Sequence, residues 1–506
     1  MSYRNFVYTV GPRAASLVVA ILLATPLVAV AESGEFEEVF VNGQAVQADS
    51  FIVEITKQDI VDTSQYLKMM PGANSNSNGV LSGIAQYRGL FGERVAVSID
   101  DVEPVSGGPN AMDAPLSYSS PMITEALTLH RGISSIRLAP ETIGGHVNAE
   151  LARGKFGLSD TFLSSGFLGS NYRTNGSQST NALRLTGANS SHRLSVLAEI
   201  DRGEDIETPR GDIFPSDMHR NRFDLSYAYQ SDTSHMMAYV GKLDTKDTGS
   251  PALVMDIRTI ETDLAGFEYD RTINEALSYG LKFSYNDVHH TMDNFSLRTP
   301  PGDPMMYRLN NASGEASGLQ AYGKYSLEFV AINLGINVKQ AAHNSTITNP
   351  NMAMFQVANF NDVEKDLQSI YAEFAGDNNE GMQWEFGVRH NRHSTNAGEV
   401  SSAGMMAMMV ENTDSLATAF NNANRDLSFS NTDAVAKYTR SLTANSKFLL
   451  EIGSKSRAPS YQELYLWLPL ETTGGLADGR TYIGNLELNS ERSNEVNLGY
   501  EFTGAR

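Results

Sequence analysis

From about residue 156 onward, apolar and polar side chains alternate with a period of two. Leu277, Tyr279, Leu281, Phe283 and Tyr285 alternate with Ser278, Gly280, Lys282, Ser284 and Asn286. The same rhythm runs through Phe223, Leu225, Tyr227 and Tyr229, through Ile332, Leu334, Ile336 and Val338, and through Met382, Trp384, Phe386 and Val388. Such segments are strands with one face in an apolar medium and one in water. A soluble sandwich would share the alternation. Here the polar positions carry Lys, Glu, Arg and Asn, as a hydrated lumen requires, while Tyr and Phe sit on the apolar face. Polar stretches at 299–317 and 391–427 read as long loops, and other strands are joined by a few residues. The pattern predicts an all-β transmembrane barrel over 154–506.

The preceding segment reads differently. Residues 60–70 form a short helical pattern stopped by Pro71 and Gly72. Val95, Val97 and Ile99 make a short strand ending at Asp100 and Asp101, and two further short elements are expected at 124–129 and 136–138. A small α/β domain is therefore expected over 51–153. At the start of the chain, Arg4 and Arg13 precede an apolar run and then Ala29, Val30 and Ala31, which is the grammar of a signal peptide over 1–31. Residues 32–50 remain as a linker. No second apolar run has the length of a spanning helix.

Composition narrows the function. Asp plus Glu outnumber Lys plus Arg by 59 to 38, giving a net charge of -21, which argues against a nucleic-acid partner. No cysteine is present, so disulfides, thiolate metal ligands and cysteine nucleophiles are excluded. Neither a Gly-x-Ser-x-Gly elbow nor a His-Glu-x-x-His helix occurs, and no enzymatic activity is expected. The chain has 19 Met, with Met305, Met306, Met352, Met354, Met405, Met406, Met408 and Met409 in or near predicted loops. Thioethers are soft ligands suited to Cu(I).

Several runs resemble the TonB-dependent outer-membrane receptors. Tyr87, Arg88, Gly89, Leu90, Phe91, Gly92, Glu93 and Arg94, followed by Val97, Ser98, Ile99 and Asp100, are similar to that family's plug domain. So are Pro71 with Gly72, Arg131 with Gly132, and Gly144 with Gly145. Arg457, Pro459 and Glu463, then Gly484, Asn485, Glu491 and Arg492, resemble its barrel motif. The family usually has Gly where Asp101 stands and Pro where Ile133 stands. The resemblance implies a plug inside a barrel of 22 strands. It also implies that Arg88, Arg94 and Arg131 face barrel carboxylates such as Glu463 and Glu491.

Glu37, Glu38, Val39, Phe40 and Val41 resemble the TonB box, which would pair by β-augmentation with periplasmic TonB and its inner-membrane motor complex. Outer-membrane lipid and lipopolysaccharide are the other implied partners. The function implied is import of a scarce metal or metal chelate, with copper favoured and a siderophore-iron receptor the alternative. A passive channel or adhesin barrel would need no plug segment. No tightly bound cofactor is expected; the transported ligand would be a copper ion or a ferric chelate.

Residues 107–115, containing Met112, and the run starting at His290 and Met292 resemble the copper receptors of this family. These combine a plug Cys-x-x-x-Met with a barrel His-x-Met. Here Gly108 stands at the Cys position, and His289 is a candidate substitute donor. Twenty-two strands would leave only about 16 residues for each strand and its connection. A C-terminally truncated chain with an incomplete barrel is therefore expected.

Overall fold

The computed structural model describes residues 50–55, 60–377, 381–403, 412–471 and 474–502. The signal-peptide and TonB-box segments and Met405, Met406, Met408 and Met409 lie outside the described residues.

The first domain is built on a four-stranded sheet. Ser50–Glu54, Thr124–His130 and His146–Leu151 pair antiparallel in that order, and Ala96–Ile99 adds in parallel. The 3₁₀ turn Thr63–Met69 is capped by Asp62, whose side chain accepts from Ser64 N at 2.9 Å. It packs Tyr66 and Leu67 against Tyr87, Leu127, Leu129 and Val147. The strand His146–Leu151, not expected from the sequence, follows directly on Gly144 and Gly145. The element expected at 136–138 is a turn: Ile136 is buried there, but no strand forms. Asp101 has φ 63, a left-handed position that explains why glycine is usual there.

Among the described residues, fourteen antiparallel strands follow in strict sequence order from Leu163–Arg173 to Glu491–Phe502, with the short Ser402–Ala403 paired beside them. They form one continuous sheet, and its two outermost strands pair with each other nowhere, so the barrel is open. Along Met218–Gln230, Met218, Arg220, Arg222, Asp224, Ser226 and Ala228 are buried, whereas Phe223 and Tyr227 are exposed. Outward residues also meet across strands, as Ile336 with Ile370 and Ile452 with Val496. They form an apolar belt fit for lipid. No described helix is long and apolar enough to cross a membrane.

Strands extend further than the alternation suggested. Leu277–Asp293 continues seven residues past Asn286, the last position of the alternation, and Leu309–Ser326 begins inside the expected loop. Above the apolar belt the outward face turns polar while Val288, Met292, Ala312 and Ala316 face the plug, so an apolar outward face no longer marks the strand. Connections at one end of the sheet, 189–191, 231–233, 273–276, 327–330 and 444–445, are short. The long connections 204–217, 294–308, 397–426 and 458–490 all lie at the other end.

The plug sits against the inner wall. Arg153, in the connection to the barrel, binds plug Asp100 at 2.9 Å and wall Asp224 at 3.5 Å. Lys282 and Lys339 of the wall bind plug Asp101 and Glu103 at 2.8 and 2.9 Å. Apolar clusters share the seam with these pairs: Val105, Met112 and Tyr118 of the plug pack on Ile257, Val288 and Met292 of the wall, and Ile133 and Ile136 pack on Tyr371 and Val435.

Candidate functional site

Two regions of the seam stand out. In the first, the plug loop around 106–113 rests on the upper end of Leu277–Asp293. Asp113 organises this loop. Its carboxylate accepts from Gly107 N at 2.5 Å, Ser106 Oγ at 2.6 Å and Tyr118 OH at 2.9 Å. Burial, reinforced by the adjacent Asp113 charge, raises the Tyr118 phenol well above its usual range and keeps it a donor. With no side chain at Gly107 and Gly108, the loop lies directly on the wall. A Cβ at Gly107 would stand 2.7 Å from Val288 Cγ1. One at Gly108 would stand 2.9 Å from His290 Nδ1 and 3.0 Å from Met292 Cε.

Strand alternation turns His290 and Met292 inward together. Both are buried, as is Met112, and Met112 and Met292 share one apolar cluster with Val105, Tyr118, Ile257 and Val288. Neither ring nitrogen of His290 has a hydrogen-bond partner among the described residues. Asn310, opposite Met292 on the next strand, brings its amide nitrogen to 3.9 Å from the thioether sulfur. His289 is a correction. The same alternation points it outward, with a side chain 69% exposed and beside Asp287, so it does not join this set. Asn310 escaped the sequence reading because only strand register pairs it with Met292.

A cavity of about 280 Å³ adjoins the loop, lined by Gly108, Asp113, Glu103, Glu141, Lys339 and His343 among others. The connection 458–490 lies over it: Gly474 N donates to Pro109 O at 2.9 Å. That connection is held down by an apolar cluster in which Trp467 donates to Ala358 O at 3.0 Å.

The second region is ionic. Arg457 is buried and grips Glu463 through both carboxylate oxygens, at 2.9 and 3.0 Å, and Glu491 at 3.0 Å. Arg94 of the plug reaches the same two carboxylates, Glu491 at 3.0 Å and Glu463 at 3.7 Å. Pro459 leads into Ser460, the N-cap of the helix Tyr461–Tyr465, and Glu463 closes its capping box. Opposed by burial, Glu463 is still held below the usual carboxylate range by the Arg457 guanidinium. Gly484 N donates to Leu466 O at 2.6 Å and Asn485 N to Glu463 O at 2.8 Å, bending the chain back toward Glu491.

The other plug arginines depart from expectation. Arg88 (φ 49, followed by Gly89 at φ 82) meets the amide of Asn497 at 3.1 Å, not a carboxylate. Arg131 lies over the Phe51 ring at 5.2 Å and makes no ion pair among the described residues. A Cβ at Gly132 would stand 2.7 Å from Glu495, which occupies the space instead. Gly144 N donates to Arg94 O at 2.7 Å, so this glycine loop positions the arginine backbone. Gly145 has φ 98 and sits under His130 O. Arg492 faces outward and donates to Ser454 at 3.0 Å, away from the cluster.

Comparison with known proteins agrees with this geometry. Residues 52–146 match the family model described as the TonB-dependent receptor plug domain, and 201–506 match the TonB dependent receptor-like β-barrel. No curated protein matches the chain in sequence. Among solved structures, the copper transporter OprC is similar with a TM-score of 0.75 at 18% identity, over 90% of this chain and 70% of that one. The siderophore receptor PirA from Acinetobacter baumannii gives 0.63 at 12% identity, over 92% and 70%. The ferric yersiniabactin uptake receptor FyuA from Yersinia pestis gives 0.61 at 14%, over 90% and 70%. At such identities these structures speak to the fold alone. Taken with the plug lodged against a many-stranded antiparallel wall, the matched models establish that this chain belongs to the TonB-dependent receptors, a family of outer-membrane transporters.

Proposed function

We propose that this receptor imports a soft metal ion, Cu(I) foremost, captured between the plug loop and the barrel wall and released inward by TonB-driven movement of the plug. The supporting observation is the buried set Met112, His290 and Met292, with an imidazole whose two nitrogens lack partners among the described residues. Burying an unpaired imidazole is costly, and a metal would satisfy it. Two thioethers and one neutral imidazole suit a monovalent soft cation. The nearest carboxylate, Asp113, has its oxygens committed to three neutral donors and is not free to ligate a hydrated divalent ion.

That a copper transporter is among the similar structures agrees with this reading. The siderophore receptors beside it keep a ferric chelate as the alternative ligand. The adjoining cavity, about 280 Å³, falls at the lower edge of the size range for small-molecule sites and favours an ion over a chelate. Residues 1–31 would direct export, and Glu37 to Val41 would give TonB its handle at the periplasmic face, with the barrel in outer-membrane lipid and lipopolysaccharide.

The test is metal content of the purified full chain after exposure to Ag(I) or Cu(I). One ion per chain is expected, lost in both His290→Ala and Met292→Ala. Wild-type stoichiometry in both variants overturns the site. Deleting Glu37 to Val41 should abolish uptake while leaving binding intact. Uptake that persists when the proton motive force is collapsed would overturn the energised mechanism.

A further inference from the structure

At the opposite end of the lumen, beside the short turns, His235, Glu268 and Asp270 bring one ligand atom each within 4.8 Å of one another. Despite the excess of acidic residues, this is the one such group of His, Asp and Glu among the described residues. The placement follows from the strands. His235 and Asp270 are direct cross-strand partners, and Glu268 lies two residues before Asp270 on the same face. That face is the lumen. Lys282, opposite Glu268, reaches across to plug Asp101 at 2.8 Å. Phe156, in the connection from plug to barrel, packs edge-on against the His235 ring at 6.2 Å.

The carboxylates are oriented from outside the trio. Tyr322 donates to Asp270 Oδ1 at 2.6 Å, and Lys282 stands 3.6 Å from Glu268 Oε1. Gly280 makes the first of these possible. A Cβ there would fall 2.4 Å from Tyr322 Cζ and 2.5 Å from Asp270 Oδ1, so only glycine lets the ring pass over the strand to the carboxylate. Carboxylate ligands held by outer hydrogen bonds are a feature of metal sites. Tyr322 fixes Asp270 through Oδ1, and Asp270 Oδ2 turns toward His235 Nδ1 at 3.9 Å, within the trio. Asp101, Glu268 and Asp270 against Lys282 leave two negative charges uncompensated within this set.

We propose that His235, Glu268 and Asp270 form a second metal site, for a borderline divalent cation of the Zn(II) or Cu(II) class. One imidazole and two carboxylates with room for water suit such ions and not a soft monovalent one. The site stands independently of the Met112, His290 and Met292 reading, since its ligands, its end of the lumen and its metal class all differ.

The probe is Zn²⁺, added to the purified full chain in detergent and read by calorimetry and by metal content. Co²⁺ substitution reports ligation through its visible spectrum. One Zn²⁺ per chain is expected, with affinity falling at least tenfold in His235→Ala and in Asp270→Asn. It should be unchanged in His290→Ala combined with Met292→Ala. Tyr322→Phe keeps every ligand atom and the packing, and should weaken Zn²⁺ several-fold and alter the Co²⁺ spectrum. Unchanged Zn²⁺ affinity in both His235→Ala and Asp270→Asn overturns the proposal. So does loss of Zn²⁺ in the His290 and Met292 double variant, which would move the metal to the upper site. Should His235→Ala and Asp270→Asn not fold, Tyr322→Phe decides alone: an unchanged affinity and spectrum overturn it.

Discussion

The plug is tied to the wall in two contrasting ways. Around Gly107 and Gly108 the contact is dry, nearly uncharged and made of close backbone approach to His290, Met292 and Val288. Around Arg94 and Arg457 it is a web of two guanidiniums and three carboxylates, Glu93, Glu463 and Glu491. The first has unsatisfied donor atoms and can respond to a ligand. The second is saturated with partners and can only hold or break. On the proposed function the first part would sense ligand and the second would hold the plug, and the cavity lined by both Gly108 and Arg457 lies between them.

Four experiments would break or sharpen that contrast. The largest effect is expected from Arg457→Ala. It removes the buried cation that Glu463, Glu491 and plug Glu93 share and leaves Arg94 alone to offset them, at a cost of about 3 kcal/mol, seen as a lower thermal unfolding temperature and faster proteolysis of the plug. Unchanged stability would mean that the web does not hold the plug.

Acid comes next. Burial alone would raise the carboxyl of plug Glu141, but Lys365, His393 and the Ala458 N–H outweigh it and hold it at about 2, below its ordinary 4.5. A depressed carboxylate stabilises above its unfolded value and loses that contribution as pH falls through the folded one. Plug protection should therefore weaken between about pH 4.5 and 2, by about 3 kcal/mol at most. In Glu141→Gln, proteolysis should be flatter across that window.

Gly108→Cys should tighten soft-metal binding by about tenfold, or about 1.4 kcal/mol, in competition with a chelator. The new Cβ must displace the Met292 methyl and tilt the His290 ring. Weaker binding would show that close backbone approach matters more than a thiolate. Smallest of all, Lys155→Ala removes an exposed pair at 4.0 Å with Glu125 and should change plug stability by less than about 0.5 kcal/mol.

Much of this architecture was legible in the sequence. Period-two alternation marks the wall wherever one face meets an apolar medium, as at Phe223 to Gln230. It fails at 289–293, where the outward face is polar, Met292 packs inward on the plug, and the strand continues. Arg94, Glu463 and Glu491 were legible as a group from motif resemblance. Arg457 as their shared partner was not, because its role depends on the helix Tyr461–Tyr465 folding Glu463 back onto it. Arg88 and Arg131 carried the same signal as Arg94 and meet an amide and a ring instead. Charge type alone does not choose a partner. His289 and His290 are adjacent and chemically identical, and a one-residue phase in the pleat sends one out and one in.

The sequence by itself determined the two-part organisation and the many-stranded wall, because these rest on periodicity and on local turn chemistry that tolerate small shifts, and its motifs carried the resemblance to the family. It also determined that no thiolate can serve at Gly108. Only the tertiary structure decided which residues converge. Met112 with His290 and Met292, Asn310 with Met292, and His235 with Glu268 and Asp270 are set by strand register and by how deeply a side-chain-free loop settles onto the wall. Such distances depend on every strand between, and no local pattern carries them.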